Sequence, residues 1–212
     1  MELIKTFDGS YTLFNEKYQE TYHSIFGART QSLYVFIKSA LLINKKDKLN
    51  ILEIGFGIGL NALLSAIYSE SFIYYETIDN EILPQNILLE YCNTLNYDEQ
   101  KIYKKIIEAP WNEETKISNY FILKKINTSI EDYQPSFNID VVFFDLFSPK
   151  AQKNVWNEEN FKKICYYMNN NAILSTYTAN GTVRRILNNL GLKVKKIPGP
   201  PFKRHILIAI KV

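Results

Sequence analysis

Three carboxylates in this chain stand out by what surrounds them. Glu53 ends an apolar run in NILEIGFGIGLNALL (50–64) and leads directly into alternate glycines; Asp79 ends FIYYETID; Asp145 ends IDVVFFD. Glycine allows a sharp turn and lets bare backbone approach a ligand. A carboxylate beside such a turn adds charge and hydrogen-bond acceptors. A second acid at a strand end is placed to accept from ribose hydroxyls, by the geometry that serves dinucleotides. A third can take a proton from an attacking nucleophile. These residue types suit a nucleoside-bearing ligand laid along one rim, with proton transfer at its edge.

The acids share a rim only if strands and helices alternate. Apolar runs predict strands at residues 49–54, 72–79, 120–125, 139–144 and 172–178, and helical spacing covers 60–69, 84–96, 158–168 and 182–190. Pro84 suits a first helical turn, and Gly191 a helix stop. Residues 192–197 and 205–211 read as a hairpin around PGPPFK. Residues 6–22 read as short strands and turns, with Asp8-Gly9-Ser10 a turn, and 29–43 as a helix. The polar stretch 98–118 lacks a clear pattern and receives no element. Alternating strands and helices predict an α/β fold: a parallel, Rossmann-like sheet covered on both faces, with ligands at the strands' C-terminal ends.

The loop is G-x-G-x-G, and Leu60 stands where a dinucleotide fingerprint has its third glycine. No Gly-Lys-Ser/Thr follows, so a phosphate cradle is not indicated either. The remaining common ligand on this architecture is S-adenosyl-L-methionine, held by Gly55, Phe56, Gly57 and Gly59, with Glu53 and Asn61 on either side. A tight strand–helix turn with no ligand is the other reading of the same spacing. In VVFFDLFSPKAQKNVW, Pro149 stops regular structure after Asp145, and Phe147 and Trp156 lie nearby. Methyl transfer to an amine needs the amine neutral, and Asp145 is the candidate to accept its proton. Spacing alone supports equally well an aspartate that caps a helix or braces a loop. The two aromatics suit either a wall for a stacked base or loop packing.

Composition narrows the classes. The 212 residues are 46% hydrophobic and 22% charged, enough for a folded core. One domain is expected over 1–212, with an N-terminal extension (1–45) on a core (46–212). Cys92 and Cys165 are far apart, as are His23 and His205, so no metal spacing or disulfide framework is present. The N-terminus lacks a signal-peptide layout and no apolar run suits a membrane span, so a cytoplasmic location is expected. A net charge of +3 permits an RNA partner without requiring one. Arg184, Arg185, Lys193, Lys195 and Lys196 precede Lys203 and Arg204. Lys193 and Lys195 read as a solvated strand face, whereas Lys203 and Arg204, in a hairpin loop at the rim, read as substrate contacts.

Several ordered motifs together resemble one family. FDGSYTLFNEKYQETYHSIFGARTQSLYVFI, ILEIGFGIGLNALL, DLFSP with its following tryptophan, STYTANGTVRRIL and PGPPFKRHILIA are similar to the methyltransferase half of the bifunctional tRNA 5-methylaminomethyl-2-thiouridine biosynthesis protein (MnmC) family. The resemblance runs from about Thr6 to the C-terminus and is weakest over 85–135. It implies a class I S-adenosylmethionine-dependent fold of strand order 3-2-1-4-5-7-6, the inserted strand antiparallel. It also implies N-methylation of 5-aminomethyl(-2-thio)uridine at the tRNA wobble position. By position, Glu53, Gly55, Gly57 and Gly59 match the donor loop, Asp79 the ribose acid, Asn127 an acid near adenine, and Asp145 the presumed catalytic aspartate. Tyr22 and His23 match a segment near the active site. DNEILP departs from the family's stretch after strand two, which leaves Glu81 or Glu76 as alternatives to Asp79. The family's Lys-Asn-Pro before Trp156 is missing, with Lys150 or Lys153 as stand-ins, and His205 replaces an acid. The resemblance implies a stand-alone methyltransferase without the flavin-dependent oxidase half, supplied with aminomethyl-uridine by another route; a monomer is favoured, with the sequence leaving the oligomeric state open. Its rivals are a methyltransferase for a small-molecule amine and a catalytically dead RNA-binding module.

Overall fold

The computed structural model describes residues 1–212. Strands β1 (Glu2–Lys5), β2 (Tyr11–Asn15) and β3 (Glu20–Thr21) form a small antiparallel sheet. Helix α1 (Ala28–Ser32) runs into a π-helical stretch, Leu33–Leu41, closed by the Leu42 N–H donating to Ile37 O at 2.9 Å. The main body then alternates: β4 (Lys48–Ile54), α2 (Leu60–Tyr68), β5 (Phe72–Asp79), α3 (Gln85–Cys92), α4 (Tyr97–Glu108), β6 (Glu114–Ser118), β7 (Phe121–Asn127), β8 (Ile139–Phe144), α5 (Glu158–Tyr167), β9 (Met168–Thr176), α6 (Gly181–Asn189), β10 (Lys193–Pro198) and β11 (His205–Ile210).

These strands make one eight-stranded sheet in the order β10-β11-β9-β8-β4-β5-β7-β6. β4 pairs in parallel with both β5 and β8, so strand order reverses at β4 and a crevice opens above its C-terminal end. β11 lies antiparallel between β9 and β10, as the resemblance implies. The departure is β6, an antiparallel edge strand beyond β7.

Both β6 and α4 fall in the stretch that the sequence left unassigned. In α4, six of twelve residues are charged, and burial is confined to Glu99, Tyr103, Ile106 and Ile107. Such a narrow stripe is diluted by its polar neighbours. The local signal was Asn96, whose side chain caps the helix by accepting from Glu99 N at 3.0 Å. In β6 only Ile117 is buried.

Alternation along β4 divides the core. Leu49 and Ile51 face a cluster shared with the π-helix, α2, α3 and α4, while Leu52 and Ile54 face α5 and α6. Glu53 falls on the first of these faces, between Thr77 on β5 and Phe143 on β8. A fully buried carboxylate amid apolar strands carries a large desolvation cost unless it is bonded.

Candidate active site

The β8–β4–β5 ladder continues past the strand ends. Gly55 N–H donates to Ile78 O at 3.0 Å, and Asp145 N–H donates to Ile54 O at 2.9 Å. The two loops thus meet backbone to backbone above the switch point. Gly55 has φ +95°, and a Cβ there would lie 2.5 Å from the Asp145 carbonyl oxygen. Gly57 has φ +52°, and its Cβ would lie 2.9 Å from the ring of Tyr22. At both positions only glycine allows the approach.

Above the loop lies a cleft of about 420 Å³, lined among others by Tyr22, Gly57, Asp79, Asp145, Phe147 and Gln152. It runs into a wider lobe of about 1040 Å³ toward Thr128–Glu131 and Lys150–Val155, sharing Asp79, Glu81 and Gln152.

Beneath the loop, Asn61 Nδ2 donates to Glu53 Oε1 at 3.0 Å and to Asp145 Oδ2 at 2.8 Å, and Thr77 Oγ1 donates to Glu53 Oε2 at 2.9 Å. Burial pushes Glu53 up to about 8, against the hydrogen bonds of Asn61 and Thr77. Burial likewise lifts Asp145 to about 7, opposed by the Asn61 bond and the charge of Lys203. Asp145 therefore changes charge near neutral pH. Glu53 is wholly covered, so it reaches the cleft only through Asn61. This corrects the expectation that Glu53 faces the ligand directly.

The N-terminal sheet supplies one wall. His23 is buried, with Nε2 3.9 Å from Asp145 Oδ2 and no hydrogen-bond partner on either ring nitrogen. Burial lowers its pKa to about 4, so it is neutral at pH 7. Tyr22 packs edge-on to Phe147 at 4.9 Å, and Tyr18 stacks on the same ring at 4.5 Å. Glu20 clamps the loop after Asp145, accepting from Ser148 N at 3.0 Å and Ser148 Oγ at 2.5 Å. Opposite, Lys203 Nζ lies 4.5 Å from the centre of the Tyr177 ring, and the Tyr177 hydroxyl donates to Leu146 O at 3.0 Å. Neither Glu20, Tyr18 nor Tyr177 was legible as a site residue, because nothing in their local spacing marks them.

Asp79 accepts from Gly57 N at 3.0 Å and Glu81 N at 2.8 Å, leaving further lone pairs toward the cleft. Glu81 also lines the cleft, bonded to Lys17 and, at 2.5 Å, to the Tyr18 hydroxyl. Glu76 does not: it is buried in mid-strand, bonded to Tyr133 and 3.4 Å from Lys124. Asn127 pairs beside Asp79 across β5–β7, but its side chain is exposed, and the lobe wall begins at Thr128. Phe56 turns down into the core, edge-on to Trp111 at 5.8 Å. Trp156 is also buried. Its indole N–H donates to Phe147 O at 2.8 Å and its ring packs 4.8 Å from Phe144. It braces the loop from below and is not a wall for a base. Pro149 is half-buried outside the cleft lining, and Arg204 is exposed beside Lys203.

The buried Glu53 gives a stability prediction. Its value of about 8 in the fold lies above the ordinary 4.5, so the folded state keeps a proton that the unfolded chain releases. Stability contributed this way is complete below the ordinary value and is lost as pH rises through the folded one. Glu53→Gln, which cannot ionise, is expected to raise Tm by about 3–6 °C near pH 8 and to leave it unchanged near pH 4. Thermal unfolding of the unliganded protein at both pH values is the measurement.

Residues 96–212 match the model of a family described as S-adenosyl-L-methionine-dependent methyltransferase. The match takes in Asp145, Tyr177 and Lys203, but not the glycine loop. An uncharacterised protein of Methanocaldococcus jannaschii is 26% identical over 215 residues, covering 99% of this chain and 59% of its own length. The tRNA 5-methylaminomethyl-2-thiouridine biosynthesis bifunctional protein MnmC of Paraburkholderia xenovorans is 22% identical, covering 97% of this chain and 34% of its own. The crystal structure of MNMC2 from Aquifex aeolicus superposes with a TM-score of 0.81 at 26% identity, covering 98% of this chain and 69% of that one. The chain thus spans 59% of the archaeal relative and 34% of the bifunctional protein. No helix is long and apolar enough to cross a membrane, and no group of three or more His, Cys, Asp or Glu side chains is arranged to hold a metal ion.

Proposed function

We propose a tRNA reaction from one premise: the chain belongs to the S-adenosyl-L-methionine-dependent methyltransferase family. The reaction is N-methylation of the 5-aminomethyl group of a wobble uridine, 2-thiolated or not, to 5-methylaminomethyl-uridine. The names and coverage of the MnmC relatives support this acceptor. The observation that carries the chemistry is Asp145, held by Asn61 at the cleft wall and titrating near neutrality.

The residues present fit the donor. Gly55 and Gly57 line the cleft with backbone that carries no side chain, and Asp79 keeps acceptors free there. Asp79 is the preferred ribose acid, with Glu81 beside it. When bound, S-adenosylmethionine supplies a methyl group made electrophilic by its sulfonium. The chain's own part is positioning and proton transfer. An aminomethyl group carries an ammonium at neutral pH, and its nitrogen cannot attack until a proton leaves. The ionised Asp145 carboxylate accepts that proton and passes it to solvent. Asn61 fixes the carboxylate, and the neutral His23 lies near the same oxygen, Oδ2, without adding charge. Phe147, between Tyr18 and Tyr22, forms the aromatic wall toward the acceptor, and Lys203 and Arg204 draw the phosphates in.

The test is incubation of the protein with hypomodified tRNA and methyl-labelled donor, followed by nucleoside mass spectrometry. Aminomethyl-uridine is expected to disappear and labelled methylaminomethyl-uridine to replace it. Label in small amines alone would move the acceptor away from RNA. A protein that neither binds the donor nor transfers label would be a binding module on this fold.

A further inference from the structure

Three phenylalanines from separate parts of the chain are stacked in the open, along a groove that Lys203 also lines. Phe7 lies 5.7 Å from Phe26 with ring planes 11° apart, and Phe26 lies 4.6 Å from Phe202 at 22°. The two end rings are 79% and 77% exposed, and the middle one 40%. Isolated exposed apolar side chains are ordinary, but a graded stack with bare outer faces is not.

The stack is built rather than incidental. Phe202 has φ +68°, a conformation rare for a bulky residue and found mostly where surroundings enforce it. Here the turn enforces it: Lys203 N–H donates to Pro200 O at 3.0 Å, and Gly199 N–H to Arg204 O at 3.1 Å, with prolines at 198, 200 and 201 limiting other shapes. Phe7 is tied by its N–H to Ile25 O at 3.0 Å. The backbone that carries the rings is therefore fixed before binding, which leaves less ordering to lose.

Position and charge point to one occupant. Phe202 is followed directly by Lys203, whose charge acts on Asp145, and by the exposed Arg204. Phe26 is three residues from His23, so its Cα lies within about 11 Å of the His23 Cα at the Asp145 wall. Phe26, Gly27, Phe202 and Lys203 share the walls of one groove. Asp8, the acid nearest the stack in sequence, is exposed beside Gly27, but its carboxylate is engaged by the chain itself, accepting from Thr30 N at 2.8 Å and Ser10 N at 3.0 Å. Flat aromatic faces beside cations, next to a cleft for one base, match unpaired nucleic acid, which is held by base stacking and phosphate contacts.

We propose that the Phe7–Phe26–Phe202 stack is a platform for an unpaired nucleobase of the RNA substrate, the neighbour of the base held in the cleft. This rests on the tRNA reading above. The test uses an anticodon stem-loop RNA with 2-aminopurine beside the wobble position. Wild-type protein is expected to change the fluorescence on binding as the probe stacks. Phe202→Ala is expected to abolish that change and raise Kd by about tenfold or more, leaving S-adenosylmethionine affinity and Tm unaltered. Phe202→Leu, which keeps apolar bulk without an aromatic face, should behave like Phe202→Ala, and Phe202→Tyr like wild type. If wild type binds and methylates tRNA while Phe202→Ala and Phe26→Ala leave both signals intact, the platform is refuted and the tRNA reading stands. If Phe202→Leu binds like wild type, stacking is refuted. If Phe202→Ala instead turns a dimer into a monomer in light scattering, the surface is a self-association face. Failure of wild type to bind or methylate RNA removes both proposals.

Discussion

Asp145→Asn is expected to lower single-turnover methyl transfer to hypomodified tRNA by about 10³-fold, within the range that general-base catalysis supplies. The substitution keeps the shape of the side chain and an oxygen for the Asn61 bond, but it cannot accept a proton. Affinity for S-adenosylmethionine, measured by calorimetry, should stay within a few fold of wild type. The pH dependence carries the same information. Because burial lifts Asp145 to about 7, its proton-accepting form prevails only above that value. Wild-type turnover should therefore rise through about pH 7 and level off, while the residual rate of Asp145→Asn should lack that step. A variant with near wild-type turnover would remove Asp145 from the chemistry.

Gly55→Ala is the change with the largest expected structural effect. The added Cβ meets the Asp145 carbonyl oxygen at 2.5 Å, its carbon at 3.1 Å and Leu146 Cδ2 at 3.2 Å. The first two are backbone, tied into the ladder by the Asp145 N–H bond to Ile54, so neither side can yield cheaply. An alanine at φ +95° is also strained in its own right. Together these should cost about 3 kcal/mol in urea unfolding and abolish detectable donor binding. Gly9→Ala makes the control. It too has positive φ, +85°, but its Cβ would meet nothing within 4 Å. It should cost about 1 kcal/mol and leave the donor site untouched. Equal losses in the two variants would mean that the loop-to-loop approach at Gly55 matters less than backbone conformation.

The central strands and the glycine loop were readable because physics leaves them few alternatives. A strand buried on both faces must be apolar through its middle, as Val141–Phe144 is, and a polar residue at its end can only be at a rim. What depends on side-chain direction was not readable. Glu53 sits one peptide bond before Ile54, yet the pleat turns it beneath α2, where only Asn61 connects it to the cleft. Trp156 keeps its distance along the chain from Asp145, but a loop of that length can place an indole above or below. Its bond to the Phe147 carbonyl sends it below. Helix α4 was hidden by its own charge, and the Glu20–Ser148 clamp by a separation of 128 residues. Of the three candidate ribose acids, Glu76 was excluded only by its buried bond to Tyr133.

The insertion of β11 between β9 and β10 has a consequence for how such a protein can change. It makes β10 run with the parallel strands, so the 199–204 turn emerges on the same side as the glycine loop, yet at the sheet's outermost corner. No further strand lies beyond it. Residues in that corner can be exchanged, added or deleted by mutation without shifting β4, β5 or β8. On the proposal that Lys203 and Arg204 meet the acceptor, its preference can thus drift or be engineered while the glycine loop is inherited intact.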